Sequence, residues 1–258
     1  MSLADYQDAW NQLLFDDSLR EDWENGKAVF TGLSESESLS INSLAPDRVA
    51  LIAPSTVRGR VHIFYHSIPK YISNLIEDDT RQKLSYTYAL KYPDAGMYPR
   101  SEGMVSWLGF IKHTLAKNAR LVCHLEDLLN YAIVAAGLVF FRIPEPLVIT
   151  TGPKLIHSTG LITAGPEFKT VLENLKTGQA ITDLPDSPKH GYLLNRDHYT
   201  TNVEQLHWTV FELLHRCTGE NSIEEIIAAM IEENPDLEGQ SDSLQGWYKY
   251  YLKQGVLA

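Results

Sequence analysis

Residues 191–227 read GYLLNRDHYTTNVEQLHWTVFELLHRCTGENSIEEII, and the fold class turns on them. Tyr192–Asn195 and Thr200–Leu206 are rich in strand formers, and the polar Arg196–Asp197–His198 between them predicts a turn joining two strands. From Trp208 the pattern becomes helical and runs to Arg216. Gly219 ends that helix, because glycine takes the left-handed backbone of a C-terminal cap. Ser222 with Glu225 is a capping box that opens a second helix, Ile223–Glu232. A third helical segment, Leu244–Lys253, precedes a Gly-Val-Leu tail. Upstream, Leu147–Ile149 and Leu155–Ile162 are β-like runs separated by TGP, and Phe168–Leu175 is a short helix closed by Gly178. Strands followed by three short helices are the layout of a winged-helix-like unit.

The first half is helical in pattern. Trp10, Leu13 and Leu14 share one face of a helix over Asp5–Leu14, and a second helix from Asp17 carries Leu19 and Trp23. Gly32 breaks the chain, and Ser34 with Glu37 caps a helix to Leu44. Pro46, Pro54 and Gly59 punctuate the stretch beyond that helix. A helix led by Pro69 carries Ile72, Leu75 and Ile76; the segments Met104–Leu115 and Leu121–Leu138 come after a turn-rich break, KYPDAGMYPRSEG. Pro144 and Pro146 mark a linker, since each disfavours helix at the residue before it. The expectation is therefore an α+β, mostly α protein: a helical domain over 1–143 and a winged-helix-like domain over 147–258.

Composition narrows the functions. A net charge of −11, with basic residues scattered along the chain, argues against nucleic acid, whose binding depends on Lys and Arg neutralising phosphates. No run of about 18 apolar residues predicts a membrane span, and the acidic, amphipathic start MSLADYQDAWNQLLFDD lacks the pattern of a signal peptide. The expected location is the cytoplasm. Cys123 and Cys217, one in each half, make neither a disulfide framework nor a metal set.

Candidate chemistry is sparse. His62 and His66 are separated by Ile63, Phe64 and Tyr65, which favour extended structure. In a strand, residues four apart share a face but sit about 13 Å from each other, so no metal pair is expected. His113 and His124 lie in helical stretches, and His207 and His215 flank a helix without a carboxylate at ligand spacing. No G-x-S-x-G, P-loop or G-x-G-x-x-G is present. Tyr86, Tyr88, Tyr92 and Tyr98 predict a tyrosine-rich packing face. Neither a catalytic nor a metal residue emerges. A binding function has firmer grounds, because a strand edge beside a helix can add an extended peptide. The YLLNR strand alternates apolar and polar residues as such an edge would.

From about Ser67 onward the chain resembles the HvfC/BufC group. The similarity lies in IPKYISNLIEDD, YALKYPDAGMYP, SWLGFIKHTL and LEDLLNYAIVAAG, then in LIHSTGLITAGPEF, the pair GYLLNR…YTTNVEQL, and the end TGENSIEEII…GWYKYYLKQGVLA. Here His157–Ser158 stands where the group carries a His-Pro-Ser-like start. The resemblance implies a non-catalytic partner subunit that forms a heterodimer with a multinuclear non-heme iron oxidase. Such pairs modify cysteines of ribosomally made precursor peptides, as in methanobactin and 3-thiaglutamate pathways. The partner would hold the iron, leaving this chain without a cofactor, and this chain would hold the precursor's leader. On that reading Leu155, His157, Tyr192, Leu193, Leu194, Arg196 and Val203 contact the peptide. Two rivals remain. One is a transcription regulator that uses the terminal helices on DNA, although Ile223–Glu232 carries glutamates and no base. The other is a free-standing enzyme without a recognisable motif.

Overall fold

The structure, a computed structural model, describes residues 3–92, 100–116, 123–138, 152–179, 188–197 and 200–258. The chain divides into two compact units, Met1–Thr114 and Leu115–Ala258. The first unit is built from α1 (Leu3–Phe15), α2 (Asp17–Glu24), α3 (Glu35–Asn42), α4 (Pro46–Ser67), α5 (Lys70–Ser73), α6 (Asp78–Lys91) and the body of α7 (Arg100–Ala116). One part of its core gathers Ala9, Leu13, Trp23, Ile41 and Val49. The capping box expected at Ser34 and Glu37 is present: Ser34 Oγ accepts the Glu37 N–H at 3.3 Å, and Glu37 Oε2 accepts the Ser34 N–H at 2.8 Å. No helix among the described residues is long and apolar enough to cross a membrane.

Three expectations fail in this unit. Pro46, Pro54 and Gly59 do not break the chain but lie within the 22 residues of α4. Pro46 sits at the first turn, where its missing N–H is unneeded, and Pro54 is exposed inside the helix. The tertiary packing of Val49, Ala53 and Phe64, with α4 lying against α1 and α6, outweighs the local penalty. The stretch His62–His66 is therefore helical rather than extended. Finally, the helix led by Pro69 is a single turn, because Ser73 and Asn74 end it and a new helix starts at Asp78. Of the tyrosine face, Tyr88 is buried among Phe64, Trp107 and Phe110, with ring centroids at 4.8, 4.9 and 5.2 Å. Tyr86 and Tyr92 are exposed, and Tyr98 lies outside the described residues.

The second unit contains α8 (Cys123–Gly137), β1 (Thr159–Ala164), α9 (Phe168–Thr177), β2 (His190–Asp197) and β3 (Thr200–Leu206). Then come α10 (Trp208–His215), α11 (Ile223–Glu233) and α12 (Ser241–Lys253). Thus α8, expected in the first domain, belongs to the second unit; the Pro144–Pro146 linker and the Leu147–Ile149 run lie outside the described residues. The sheet is antiparallel with order β1-β2-β3, and Leu194 faces Gly160 on one side and Val203 on the other. The expected run Leu155–Ile162 splits in two. Lys154 and Leu155 bridge to Thr218 and Leu257, a turn comes next at His157–Ser158, and β1 starts at Thr159.

Helices cover both faces of the sheet. On one, Leu193 and Leu206 join Phe211, Leu214, Ile227 and Leu244 in a core contributed by α10, α11 and α12. On the other, Tyr192 donates its hydroxyl to the Gly165 carbonyl at 2.7 Å and packs on Phe168 of α9 at 5.5 Å. There, too, a Cβ on Gly160 would lie 2.5 Å from Val134 of α8, so only glycine lets that helix approach. Asp127 of α8 is buried and accepts the Gly165 N–H at 2.9 Å and the Lys189 ammonium at 3.1 Å, which ties the helix to both ends of the β1–β2 connection. The second capping box is also formed, with Ser222 Oγ accepting the Glu225 N–H at 3.3 Å. Such a cap contributes about 1 kcal/mol.

Candidate peptide-binding edge

Strand β3 is the outer strand on its side of the sheet, and no strand among the described residues pairs with its far edge. Its backbone N–H and C=O groups on that side are the kind that an added strand can satisfy. Thr200, Asn202, Glu204 and Gln205 are exposed, Thr201 and Val203 are half-buried, and Leu206 closes the strand into the core.

The neighbouring helix is α12, whose Tyr251 lies close enough to Glu204 of β3 to feel its carboxylate. Burial, followed by the charge of Glu204, pushes the Tyr251 phenol up to about 12. Tyr251 is buried, but the residues around it are not. Trp247, one turn earlier on the same face, stacks on Tyr251 at 6.3 Å and 29°; Tyr250 meets Trp247 at 6.0 Å and Tyr251 at 5.0 Å. Trp247 is 44% exposed and Tyr250 is 46% exposed. Rings that are large, apolar and already ordered bind with little loss of side-chain freedom.

The sequence-derived site residues separate in space. Tyr192, Leu193 and Leu194 lie on β2, the central strand, paired on both sides and buried at 0–3% exposure. Their strand is paired on both sides and is not an edge. Leu155 is half-buried against the core and bridges to the C-terminal Leu257, and His157 is exposed in the turn before β1. Arg196 points to the end of α8, donating to the carbonyls of Ala135 at 3.1 Å and Leu138 at 3.0 Å. Its cation there satisfies orphan carbonyls at the negative end of the helix dipole. Val203 alone of the seven lies on the open strand. Glu204, Trp247 and Tyr250 were missed, although aromatics at i, i+3 and i+4 in GWYKYYLK are more than one helix face can bury.

The other candidates resolve individually. The Cys217 thiol is buried, donates to the Leu213 carbonyl at 3.3 Å, and is pushed up to about 12 by burial, so it is no nucleophile. His207 caps α10, its Nδ1 accepting the Thr209 N–H at 3.4 Å, and His215 stacks on Phe211. On α11, Glu233 accepts a bidentate pair from Arg216 at 3.0 and 2.5 Å, which holds its carboxyl below the usual range. That helix presents Glu224, Glu225 and Glu232 as well, and no Lys or Arg. Among the described residues no three His, Cys, Asp or Glu side chains are placed to hold a metal ion.

No protein-family model matches the chain, and no curated protein matches it. The resemblance to the HvfC/BufC group therefore rests on the residues quoted for it.

Proposed function

We propose that the chain is a non-catalytic recognition subunit, whose second unit is winged-helix-like and captures an extended peptide along the open edge of β3 beside α12. The observation that carries this reading is a strand that no other strand among the described residues pairs with on one side, bordered by a helix with two exposed aromatic rings. The strand offers sequence-independent hydrogen bonds, and the rings offer pockets for apolar side chains of the guest. Glu204 on the edge and the glutamates of α11 favour a guest that carries basic residues.

Taken with the sequence resemblance, the guest is the leader of a ribosomal precursor peptide, and the partner is a multinuclear non-heme iron oxidase that modifies its cysteines. Holding the leader would keep the target cysteine at high effective concentration near the partner's iron. Co-expression with an iron-oxidase chain and a precursor peptide encoded beside this gene tests the reading. Co-purification of the oxidase is expected, together with leader binding that the double variant Trp247→Ala/Tyr250→Ala weakens by about a hundredfold. Both side chains are exposed, so the variant's thermal melt should match the parent's. Undiminished leader affinity in that variant would remove the α12 rings from the site.

The rival DNA-binding reading requires bases on the second terminal helix, where α11 has only acids. Retention of duplex DNA at about 150 mM salt would favour it over the peptide reading.

A further inference from the structure

The first unit contains a cleft between α4 and α6 that the peptide reading does not use. Its volume is about 630 Å³, within the range of small-molecule sites. Because α4 continues as a helix through Pro54, Arg58, His62 and His66 fall at successive i, i+4 positions on one face, all lining the cleft. The two imidazoles meet edge to face with centroids 4.2 Å apart. From α6, Lys83, Gln82 and Tyr86 face them across the gap. None of the lining residues among those described is acidic.

This is unusual in a chain of net charge −11. Donors of like sign at i, i+4 spacing give a helix no support and repel one another when charged. Near the cleft, Asp78 pairs with Arg81 at 2.6 Å and accepts the Tyr65 hydroxyl. A second hollow of about 390 Å³ continues past Arg58 and Val61, walled by Ala53, Pro54, Val57 and Leu90. Its carboxylate, Asp17, is paired with Arg20. The combined shape is a basic mouth leading to an apolar floor.

We infer that this cleft binds an amphipathic organic anion, with a carboxylate or phosphate-monoester head at Arg58 and Lys83 and an apolar body against Val61, Tyr86 and the hollow beyond. Guanidinium and ammonium groups give charge-assisted hydrogen bonds to either head, and the imidazoles add N–H donors. The carboxylate and phosphate forms share this chemistry and are separated only by measurement.

Calorimetric titration of the full chain with octanoate, octyl phosphate and octylammonium tests the assignment. One or both anions should bind and the cation should not, and whichever anion binds more tightly identifies the head group. The double variant Arg58→Gln/Lys83→Gln should weaken anion binding at least about tenfold while leaving the melting temperature unchanged, since both side chains are exposed. His62→Gln/His66→Gln should weaken it less. Equal binding of octylammonium, no effect of Arg58→Gln/Lys83→Gln, or Zn²⁺ bound at the histidine pair with neither anion taken up would each overturn the proposal.

Discussion

Leu194→Ala is expected to lower the stability of the second unit by about 2–5 kcal/mol, the range for removing a fully buried leucine from a core that cannot collapse. Leu194 is 0% exposed on the central strand, between Gly160 of β1 and Val203 of β3. The sheet holds three strands, so loss of this side chain leaves a cavity under α8 and α9 that neither edge strand can fill. Urea unfolding followed by tryptophan fluorescence and circular dichroism measures it. A cost well under about 1 kcal/mol would mean that Leu194 is not buried beneath α8 and α9.

The second large effect concerns Gly191, on the opposite face of the same strand. A Cβ built there would lie 2.4 Å from the Phe211 ring and 2.6 Å from the Phe211 Cβ. Phe211 cannot swing away, because its ring is stacked between Trp208 at 5.2 Å and His215 at 6.0 Å. Gly191→Ala therefore forces α10 off the sheet and should cost about 2–3 kcal/mol, although alanine is the better residue for an ordinary backbone. Gly246→Ala, on α12 with nothing within 4 Å of the new Cβ, should instead stabilise by about 0.5–1 kcal/mol. A Gly191→Ala melting temperature at or above the parent's would rule out the close approach of α10 to β2.

Much of the architecture is legible in the residues, and the legible parts share one property: their signals are local. Both Ser-x-x-Glu capping boxes formed, because the serine, the glutamate and the orphan N–H groups lie within one turn. Gly178 closes α9 at φ +77, a conformation set by the missing Cβ alone. The strands β2 and β3 and the helices α10, α11 and α12 lie within a few residues of the spans read from periodicity. The misreadings share the opposite property. Pro54 carries a local penalty that α4 absorbs because its buried side chains pack against α1 and α6, partners distant in sequence. In α8, the membership of the second unit depends on Gly160, Arg196 and Asp127, none of which announces its partner in the sequence.

The candidate site shows the same division. Sequence by itself determined that a small αβ unit ends the chain, that its second terminal helix is acidic, and that two strands stand ready to pair. It assigned the edge to the YLLNR strand. That reading overlooked that Tyr192-Leu193-Leu194 is a continuous apolar run, the pattern of a strand covered on both faces, whereas Thr201-Asn202-Val203-Glu204 alternates. Only the tertiary structure decided that β2 is central, by pairing it with β1 on one side and β3 on the other. The same packing brings Tyr251 to Glu204 and leaves Trp247 and Tyr250 in solvent beside the open strand. Which strands pair, and which edge stays open, depends on what arrives from elsewhere in the chain.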